Sequence, residues 1–309
     1  MIVTTTQKPV KSLRIRIEGA SSPFPADRFA AGLEVLRAAG HVVDDSHAGP
    51  RGRHPYLNGT DDERRLSLEE ALMSDVDVVL LARGGYGLTR IVDALFVDGW
   101  PMKLPRVVGF SDVTALFGKM ASEGLLDRCV HGPVVTSLAG EPDDSRARFF
   151  DAIAGGAPAD IDLDVVVADT DAVEGPLFAG NLVVLAALCG TPSMPSLRGH
   201  VVVVEEVGER PYRLDRLLTQ LINSGAFAGV AAVVVGHLTG CDEPASATNN
   251  PARDPVPSGR DVVIDGLRGL GVPVFAGAPV GHEAPNIALP LGGRVLVEVD
   301  GARARLRFR

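Results

Sequence analysis

Two short, largely apolar runs, each leading into a helical pattern, constrain the fold of this chain most strongly. They are VDVVLLA (residues 76–82) and RVVGF (residues 106–110). Apolar runs without regular alternation are typical of strands buried on both faces of a parallel sheet. An alternating run at residues 13–17 predicts an earlier strand, and residues 29–36 follow it with helical spacing. The first 135 residues are therefore predicted to form an α/β layer around a parallel sheet.

The second half of the chain has strand patterns of its own, and a polar, Gly-rich stretch separates the two halves. We predict an N-terminal domain over residues 1–145, a linker over 146–170 and a C-terminal domain over 171–309. A long loop rich in Pro, Ser and Asn is predicted over residues 241–260. The strand patterns are VVVVE ending at Glu205, VAAVVVG ending at Gly236, PVFAG near Val274, and a terminal hairpin around Asp300-Gly301.

Composition and charge disfavour several classes of partner and site. The net charge of −9 argues against nucleic acid or an anionic membrane surface as the main partner, since both favour a basic face. The three cysteines show no C-x-x-C spacing, so we expect neither a disulfide framework nor a cysteine-built zinc site. No signal-peptide core and no run of 18 apolar residues is found, so a cytoplasmic location is expected.

Ser111 comes directly after the second buried run and just before a helical pattern. Open α/β sheets bind ligands at the carboxyl ends of their strands, which favours a functional serine. The G-x-S-x-G elbow of many hydrolases is absent, because Val113 occupies the position of its second glycine. Serine is also a preferred N-cap residue. This stretch by itself leaves both a nucleophile and a helix cap open.

The segment RGGYG, residues 83–87, follows the first buried run directly. Its three glycines remove side chains, so the backbone amides can approach a ligand closely. Neither G-x-x-x-x-G-K-[ST] nor a full G-x-G-x-x-G is present, so a phosphate cradle is weakly indicated. An amide that stabilises an oxyanion and a simple tight turn are the other two interpretations.

Two adjacent glutamates and one histidine complete the set of candidate residues. Glu205 and Glu206 end a strand, where side chains alternate between faces, so at most one can face a given site. A solvated acidic turn is the ordinary alternative for this pair. His282 starts HE, but no second histidine completes H-E-x-x-H, so no metal site is predicted. Ser111, Glu205 and His282 follow the Ser, Glu, His order of one group of catalytic triads.

Seven segments in the same order resemble the LD-carboxypeptidase family of serine peptidases, over nearly the whole chain. The longest contains ARGGYGLTR, and the others include VVGFSDVTAL, HGPV and PVGHEAPNIALPLG. The resemblance implies an N-terminal Rossmann-like domain, a smaller C-terminal α/β domain and an active site in the cleft between them. It also implies release of terminal D-Ala from cytoplasmic murein tetrapeptides in peptidoglycan recycling, without a cofactor, by a homodimer. The segments lie at residues 20–43, 53–95, 107–116, 131–134, 180–192, 201–225 and 279–292.

The resemblance assigns a catalytic role to each member of the triad. Ser111 is implied as the nucleophile and His282 as the general base that later protonates the leaving amine. Glu205 is implied as the residue that orients His282 and stabilises its cation. Glu206 and Glu209 lie in the same motif and leave some choice open.

The oxyanion hole is implied to consist of the backbone amides of Asp112 and Gly85, with Gly84 as a close competitor for the second position. The terminal carboxylate of the substrate calls for a cation, and the motifs contain Arg83, Arg90 and Arg213. Each of these arginines could instead form an ion pair at the protein surface and not bind the substrate. Tyr86 and Tyr212 are further candidates for lining the cleft.

Two other functions remain open from the sequence. One branch of the family resembles the microcin C immunity peptidases, which cleave an aminoacyl-nucleotide analogue and have aromatic residues that stack on the base. This chain has a single tryptophan, Trp100, and low aromatic content, so that branch ranks second. A non-catalytic nucleotide or peptide binder that uses RGGYG as an anion cradle ranks third.

Overall fold

The computed structural model describes residues 12–49, 54–156, 158–244 and 256–309, which fold around two sheets. The helices are α1 (Ala26–Ala38), α2 (Asp61–Met73), α3 (Thr114–Ser122), α4 (Val135–Leu138), α5 (Asp143–Ile153), α6 (Leu182–Leu188), α7 (Pro211–Asn223) and α8 (Gly259–Arg268). The strands are β1 (Arg14–Glu18), β2 (Val42–Asp44), β3 (Val78–Leu81), β4 (Arg106–Gly109), β5 (Cys129–His131), β6 (Ile161–Val167), β7 (Ala172–Asn181), β8 (Val201–Val207), β9 (Ala232–Thr239), β10 (Val274–Ala276), β11 (Leu289–Pro290), β12 (Arg294–Asp300) and β13 (Arg303–Phe308).

The first sheet has the order β11-β5-β4-β3-β1-β2. All of its pairings are parallel except that of β11 with β5. Every residue of β3 is buried, as expected for a parallel strand covered on both faces. The predicted α/β layer is therefore confirmed. The carboxyl ends of β3 and β4 point to one edge, where RGGYG and Ser111 follow.

The second sheet is a closed barrel with the order β10-β6-β13-β12-β7-β8-β9. Closure removes the free strand edges that an open sheet exposes. The predicted terminal hairpin is confirmed as β12 and β13, and its two-residue turn is Gly301-Ala302, one residue later than expected. Gly301 supplies the positive φ, +59°, that the turn requires. Helices α6, α7 and α8 accompany the barrel, so the C-terminal half is also α/β.

The segment predicted as a linker, residues 146–170, contains the end of α5 and the whole of β6. Phe149 and Ile153 of α5 belong to the core of the first sheet, whereas β6 pairs with β10 and β13 in the barrel. The chain therefore passes from one sheet to the other between these two elements. Of the predicted loop at 241–260, residues 245–255 lie outside the described residues, and α8 begins at Gly259 after the N-cap Ser258.

After β10 the chain passes from the barrel back to the first sheet, where it forms β11. This returning segment, residues 277–288, carries His282 to the edge where Ser111 lies. Within the described residues, no helix is both long and apolar enough to cross a bilayer.

Candidate active site

Ser111 lies between β4 and α3 with a left-handed backbone, φ +63°. It is the first residue of a short 3₁₀ turn, Ser111–Val113, and its side chain caps neither that turn nor α3. The N-cap interpretation is therefore wrong. A non-glycine residue in this conformation is strained by about 1–3 kcal/mol, and such strain often accompanies function. Ser111 therefore has a strained backbone and lies just beyond the carboxyl end of the buried strand β4.

Gly84 makes room for this serine. A Cβ atom at Gly84 would lie 2.9 Å from Cβ of Ser111 and 3.1 Å from its Oγ. Gly85 has φ +106°, and a Cβ there would lie 2.6 Å from Oγ of Ser22. These glycines therefore permit the backbone of RGGYG to pass directly beside Ser111, which a simple tight turn does not require.

The carboxylate of Asp112 joins three loops around the serine. Its Oδ2 accepts hydrogen bonds from Oγ of Ser21 at 2.7 Å and from the amide of Leu88 at 3.0 Å. Burial raises the pKa of Asp112, and these hydrogen bonds oppose the shift. Its backbone amide lies in the first turn of the 3₁₀ segment, where N–H groups lack partners within the helix. The backbones of Asp112 and of Gly84 in RGGYG are therefore both next to Ser111.

Arg64 supports the same loops and was not identified from the sequence. Its fully buried guanidinium donates from Nη1 to the carbonyls of Ala20, at 2.6 Å, and Gly87, at 3.0 Å. Its Nη2 pairs with Asp61 at 2.6 Å. Its position in the sequence could have indicated burial, because Arg64 lies four residues before Leu68 and so shares the apolar face of α2.

Glu205 and His282 form a direct hydrogen bond, with Nδ1 of the ring 2.7 Å from Oε2 of the carboxylate. Glu205 is fully buried on β8, at a point where the register with β9 shifts. Gly281 has φ +134°, and a Cβ there would lie 3.1 Å from Glu205 Oε2. The carboxylate accepts a hydrogen bond from Nδ1–H, so the tautomer that makes this bond has Nε2 as its accepting nitrogen.

Glu206 points the other way, as the alternation of strand side chains predicts. Its carboxylate accepts from Nδ2 of Asn181 at 3.0 Å and from the amides of Val183 at 2.7 Å and Val207 at 2.8 Å. Burial raises the pKa of Glu206 to about 7. Both glutamates are buried, so the interpretation as a solvated acidic turn is wrong. Of the two glutamates, Glu205 is the one whose carboxylate bonds to His282.

A cavity of about 180 Å³ brings the candidate residues together. Ser111 and His282 both line it, together with Arg83, Gly84 and Gly85. Among the described residues, the Ser111 hydroxyl makes no hydrogen bond to the His282 ring. A second cavity, of about 160 Å³, adjoins the first and shares His282 with it. The remaining shared residues are Arg28, Phe110 and Ser137.

Comparison with known proteins matches both halves of the chain to one family. The LD-carboxypeptidase N-terminal domain matches residues 15–132, and the LD-carboxypeptidase C-terminal domain matches residues 174–297.

This chain belongs to the LD-carboxypeptidase family.

Two similar proteins illustrate the relationship. A putative carboxypeptidase of Streptomyces coelicolor is 35% identical over 310 residues, covering 93% of this chain and 91% of that protein. The murein tetrapeptide carboxypeptidase of Pseudomonas aeruginosa is 30% identical over 312 residues, covering 96% and 97%. The identification from sequence motifs is therefore confirmed.

Solved structures agree with this fold. The muramoyltetrapeptide carboxypeptidase of Oxalobacter formigenes superposes with a TM-score of 0.74 at 27% identity, covering 95% of this chain and 98% of that one. The microcin C7 self-immunity protein MccF, in its wild-type apo state, superposes with a TM-score of 0.75 at 20% identity, covering 97% of each chain. The second likeness concerns the fold alone.

The arginines of this LD-carboxypeptidase family member differ in how they are paired. Arg90 pairs with Asp61 at 2.6 Å, and Arg213 pairs with Glu209, as expected for surface ion pairs. Arg83 lines the cavity, and its Nη1 donates to the carbonyl of Pro23 at 2.7 Å.

Arg28 lines both cavities, and its Nε donates to the carbonyl of Thr136 at 3.1 Å. Among the described residues neither Arg28 nor Arg83 has a carboxylate partner. Arg28 lies in the segment 20–43 that resembles the family, but nothing in the sequence around it indicated that it would line the site.

The two predicted tyrosines do not line either cavity. The ring of Tyr86 is 44% exposed and faces that of Tyr56, with centroids 6.0 Å apart, because the Tyr86 amide is tied to Oγ of Ser22. Tyr212 is 53% exposed on α7 and stacks under Arg216. The sequence placed both beside site motifs, but their backbones direct the rings outward.

His131 is a second histidine near the site. It is fully buried, and neither ring nitrogen has a hydrogen-bond partner in the part of the chain that the structure describes. The ring of Phe110 lies between the two histidines, 6.0 Å from His131 and 4.8 Å from His282. Burial lowers the pKa of His131 to about 4, so the ring is neutral at pH 7. The described residues contain no group of three or more side chains suited to holding a metal ion.

Proposed function

We propose that this family member is a serine LD-carboxypeptidase that releases terminal D-Ala from murein tetrapeptides through an acyl-enzyme. The observation that carries this proposal is the Glu205–His282 hydrogen bond on the wall of the cavity that also contains Ser111. The family and the Pseudomonas relative named for murein tetrapeptide support the substrate class. Ser111, Glu205 and His282 act as nucleophile, orienting carboxylate and general base.

Acylation begins with transfer of the Ser111 hydroxyl proton to Nε2 of His282. Oγ of Ser111 attacks the carbonyl carbon of the scissile amide, and Glu205 stabilises the imidazolium that forms. The C–N bond then breaks as the imidazolium donates its proton to the leaving amine of D-Ala. Water, deprotonated by His282, attacks the resulting ester and restores the Ser111 hydroxyl. Each step uses only groups of this chain, the substrate and water.

The oxyanion that forms in each step is stabilised by backbone amides. The amide of Asp112 is one donor, and the amide of Gly85 or of the neighbouring Gly84 is the other. Removing one such donor costs roughly 3–4 kcal/mol in known hydrolases. The strained Ser111 backbone and the Asp112 side chain hold these donors in place before substrate binds, so no reorganisation is needed during the reaction.

A carboxypeptidase must recognise the terminal carboxylate of its substrate. Arg28 and Arg83 line the Ser111 cavity without a carboxylate partner among the described residues. We assign the carboxylate to this pair. Arg90 and Arg213 are already paired with Asp61 and Glu209.

Hydrolysis of a murein tetrapeptide, followed by mass spectrometry, tests the proposal. The wild-type protein should release D-Ala, and Ser111→Ala should not, while a serine-directed fluorophosphonate should label Ser111 in the wild type only. Unchanged turnover by Ser111→Ala would refute the triad.

An aminoacyl sulfamoyl-adenylate, tested in parallel, separates the immunity-peptidase alternative. Trp100 packs against Phe96 with ring centroids 4.9 Å apart and lines neither cavity, so it is not placed to stack on a base. Cleavage of this analogue without release of D-Ala would favour that alternative, and binding of either compound without cleavage would favour a non-catalytic binder. The homodimer and the cytoplasmic location stay predictions, and light scattering after size exclusion checks the first.

A further inference from the structure

The segment that carries His282 is anchored to the N-terminal half of the molecule by a buried carboxylate. Oε2 of Glu141 accepts the backbone amide of Asn286 at 2.9 Å and the hydroxyl of Ser145 at 2.8 Å. Glu141 is 5% exposed and Asn286 is 2% exposed. Glu141 lies two residues before the start of α5, whose residues Phe149 and Ile153 belong to the core of the first sheet. The anchor is therefore fixed to the sheet that also positions Ser111.

Within the segment, Asn286 connects Glu141 to Gly281, the residue before His282, through hydrogen bonds. Its Oδ1 accepts the backbone amide of Gly281 at 3.0 Å. Gly281 in turn lies so close to Glu205 that a Cβ would be 3.1 Å from the carboxylate. The contacts thus form a continuous path from Glu141 through Asn286 and Gly281 to the His282–Glu205 hydrogen bond.

The setting of Glu141 is unusual for a group that only stabilises a loop. Among the described residues no cationic side chain pairs with its carboxylate, since the nearby Arg146 donates to the backbone carbonyl of Glu141 instead. The two hydrogen bonds to Oε2 leave the other oxygen, Oε1, without a donor. Burying a carboxylate without a counter-ion is costly unless hydrogen bonds compensate. Both donors are neutral, so a glutamine at this position could accept the same two hydrogen bonds through its amide oxygen.

We propose that Glu141 is a positioning residue that aligns His282, on the segment between β10 and β11, with Ser111, at the end of β4 in the first sheet. The proposal rests on the proposed function, because it assigns His282 the role of general base. Glu141 also lines the second cavity, so the competing explanation is that its charge binds a cationic group of the substrate. The two explanations predict opposite results for Glu141→Gln, because glutamine can accept the same hydrogen bonds but removes the charge.

The test compares Glu141→Ala, Glu141→Gln and the control Glu174→Ala, which removes an exposed carboxylate from the barrel. The readouts are kcat and KM on the tetrapeptide, the rate of fluorophosphonate labelling at Ser111, and the deshielded NMR signal of the proton between His282 and Glu205. Glu141→Ala should lower kcat and the labelling rate by roughly 10- to 100-fold, as for a misplaced catalytic group. KM should change less than about twofold, and the NMR signal should weaken.

Glu141→Gln should retain most of the activity, and Glu174→Ala should match the wild type. Wild-type labelling and an intact NMR signal in Glu141→Ala would overturn the proposal. A rise in KM shared equally by Glu141→Gln and Glu141→Ala would also overturn it, in favour of substrate binding. If Glu141→Ala does not fold, Asn286→Ala, which removes the acceptor for Gly281, should show the same losses. Failure of the wild type to cleave any tetrapeptide counts against the proposed function only, because the labelling rate at Ser111 still reports its alignment with His282 and the NMR signal still reports the His282–Glu205 hydrogen bond.

Discussion

The ring of His282 and the carboxylate of Glu205 lie 2.7 Å apart although 77 residues separate them in the chain. One belongs to the segment between β10 and β11, and the other to the buried strand β8. The bond fixes the ring so that Nε2 is the nitrogen available to Ser111, whose cavity His282 lines. This relationship defines the site more closely than any single residue does.

The two adjacent glutamates should respond differently to the same substitution. Glu205→Gln should lower kcat by roughly 10³- to 10⁴-fold, because an amide favours the wrong ring tautomer and cannot stabilise the imidazolium. Glu206→Gln should lower kcat less than about tenfold. It should instead reduce the free energy of unfolding by about 1–3 kcal/mol, since the amide group meets N–H donors that the carboxylate accepts. Steady-state kinetics and urea unfolding measure both effects, and a reversed order would transfer the orienting role to Glu206.

Gly84→Ala should reduce activity through contact with Ser111, the proposed nucleophile. The added Cβ would lie 2.9 Å from Cβ of Ser111, so the serine or the loop must shift, and a shift of about 1 Å can cost on the order of 100-fold in rate. Gly293→Ala is the matched control, because a Cβ there meets none of the described residues within 4 Å. Fluorophosphonate labelling and kcat should fall in Gly84→Ala and stay at the wild-type level in Gly293→Ala. Equal activity of the two variants would show that RGGYG does not approach the reacting atoms.

The arginine pair can be tested through the charge that it is proposed to bind. Arg28→Gln and Arg83→Gln should each raise KM for a peptide with a free terminal carboxylate, by roughly 10-fold for the loss of a charged hydrogen bond. The same variants should lose little against a peptide whose terminus is amidated, because the partner charge is already missing. Arg213→Gln serves as the control, since Glu209 already pairs with it. Equal losses on both peptides would assign the two arginines a structural role.

His131 should make stability depend on pH. Its folded-state pKa of about 4 lies below the ordinary value of about 6.5, so the unfolded chain binds the proton first as the pH falls. Stability is therefore present above about pH 6.5 and is lost as the pH falls toward 4, by roughly 2 kcal/mol between pH 7 and pH 5. Urea unfolding of the wild type and of His131→Leu at both pH values measures this term. The variant should lose about that much less on acidification, and an identical pH dependence would mean that His131 titrates normally.

The local pattern of the sequence determined the strands and turns that build this site. The apolar runs became β3 and β4, since a strand buried on both faces has no polar alternation to show. The glycines of RGGYG and the serine after β4 were recognisable because unusual backbone geometry demands particular residue types nearby. The order of Ser111, Glu205 and His282, joined to seven matching segments, was enough to indicate the family.

Only the tertiary structure decided which of these residues meet. The pairing of Glu205 with His282, the closure of the barrel, the exposure of Tyr86 and Tyr212, and the support from Arg64 depend on contacts between distant parts of the chain. Such contacts leave no periodic signal, because each partner satisfies its local pattern equally well without the other. Ser111 illustrates the division: its neighbours in sequence left a nucleophile and a helix cap both open, but its φ of +63° and its place opposite Gly84 are set by the packing of two loops.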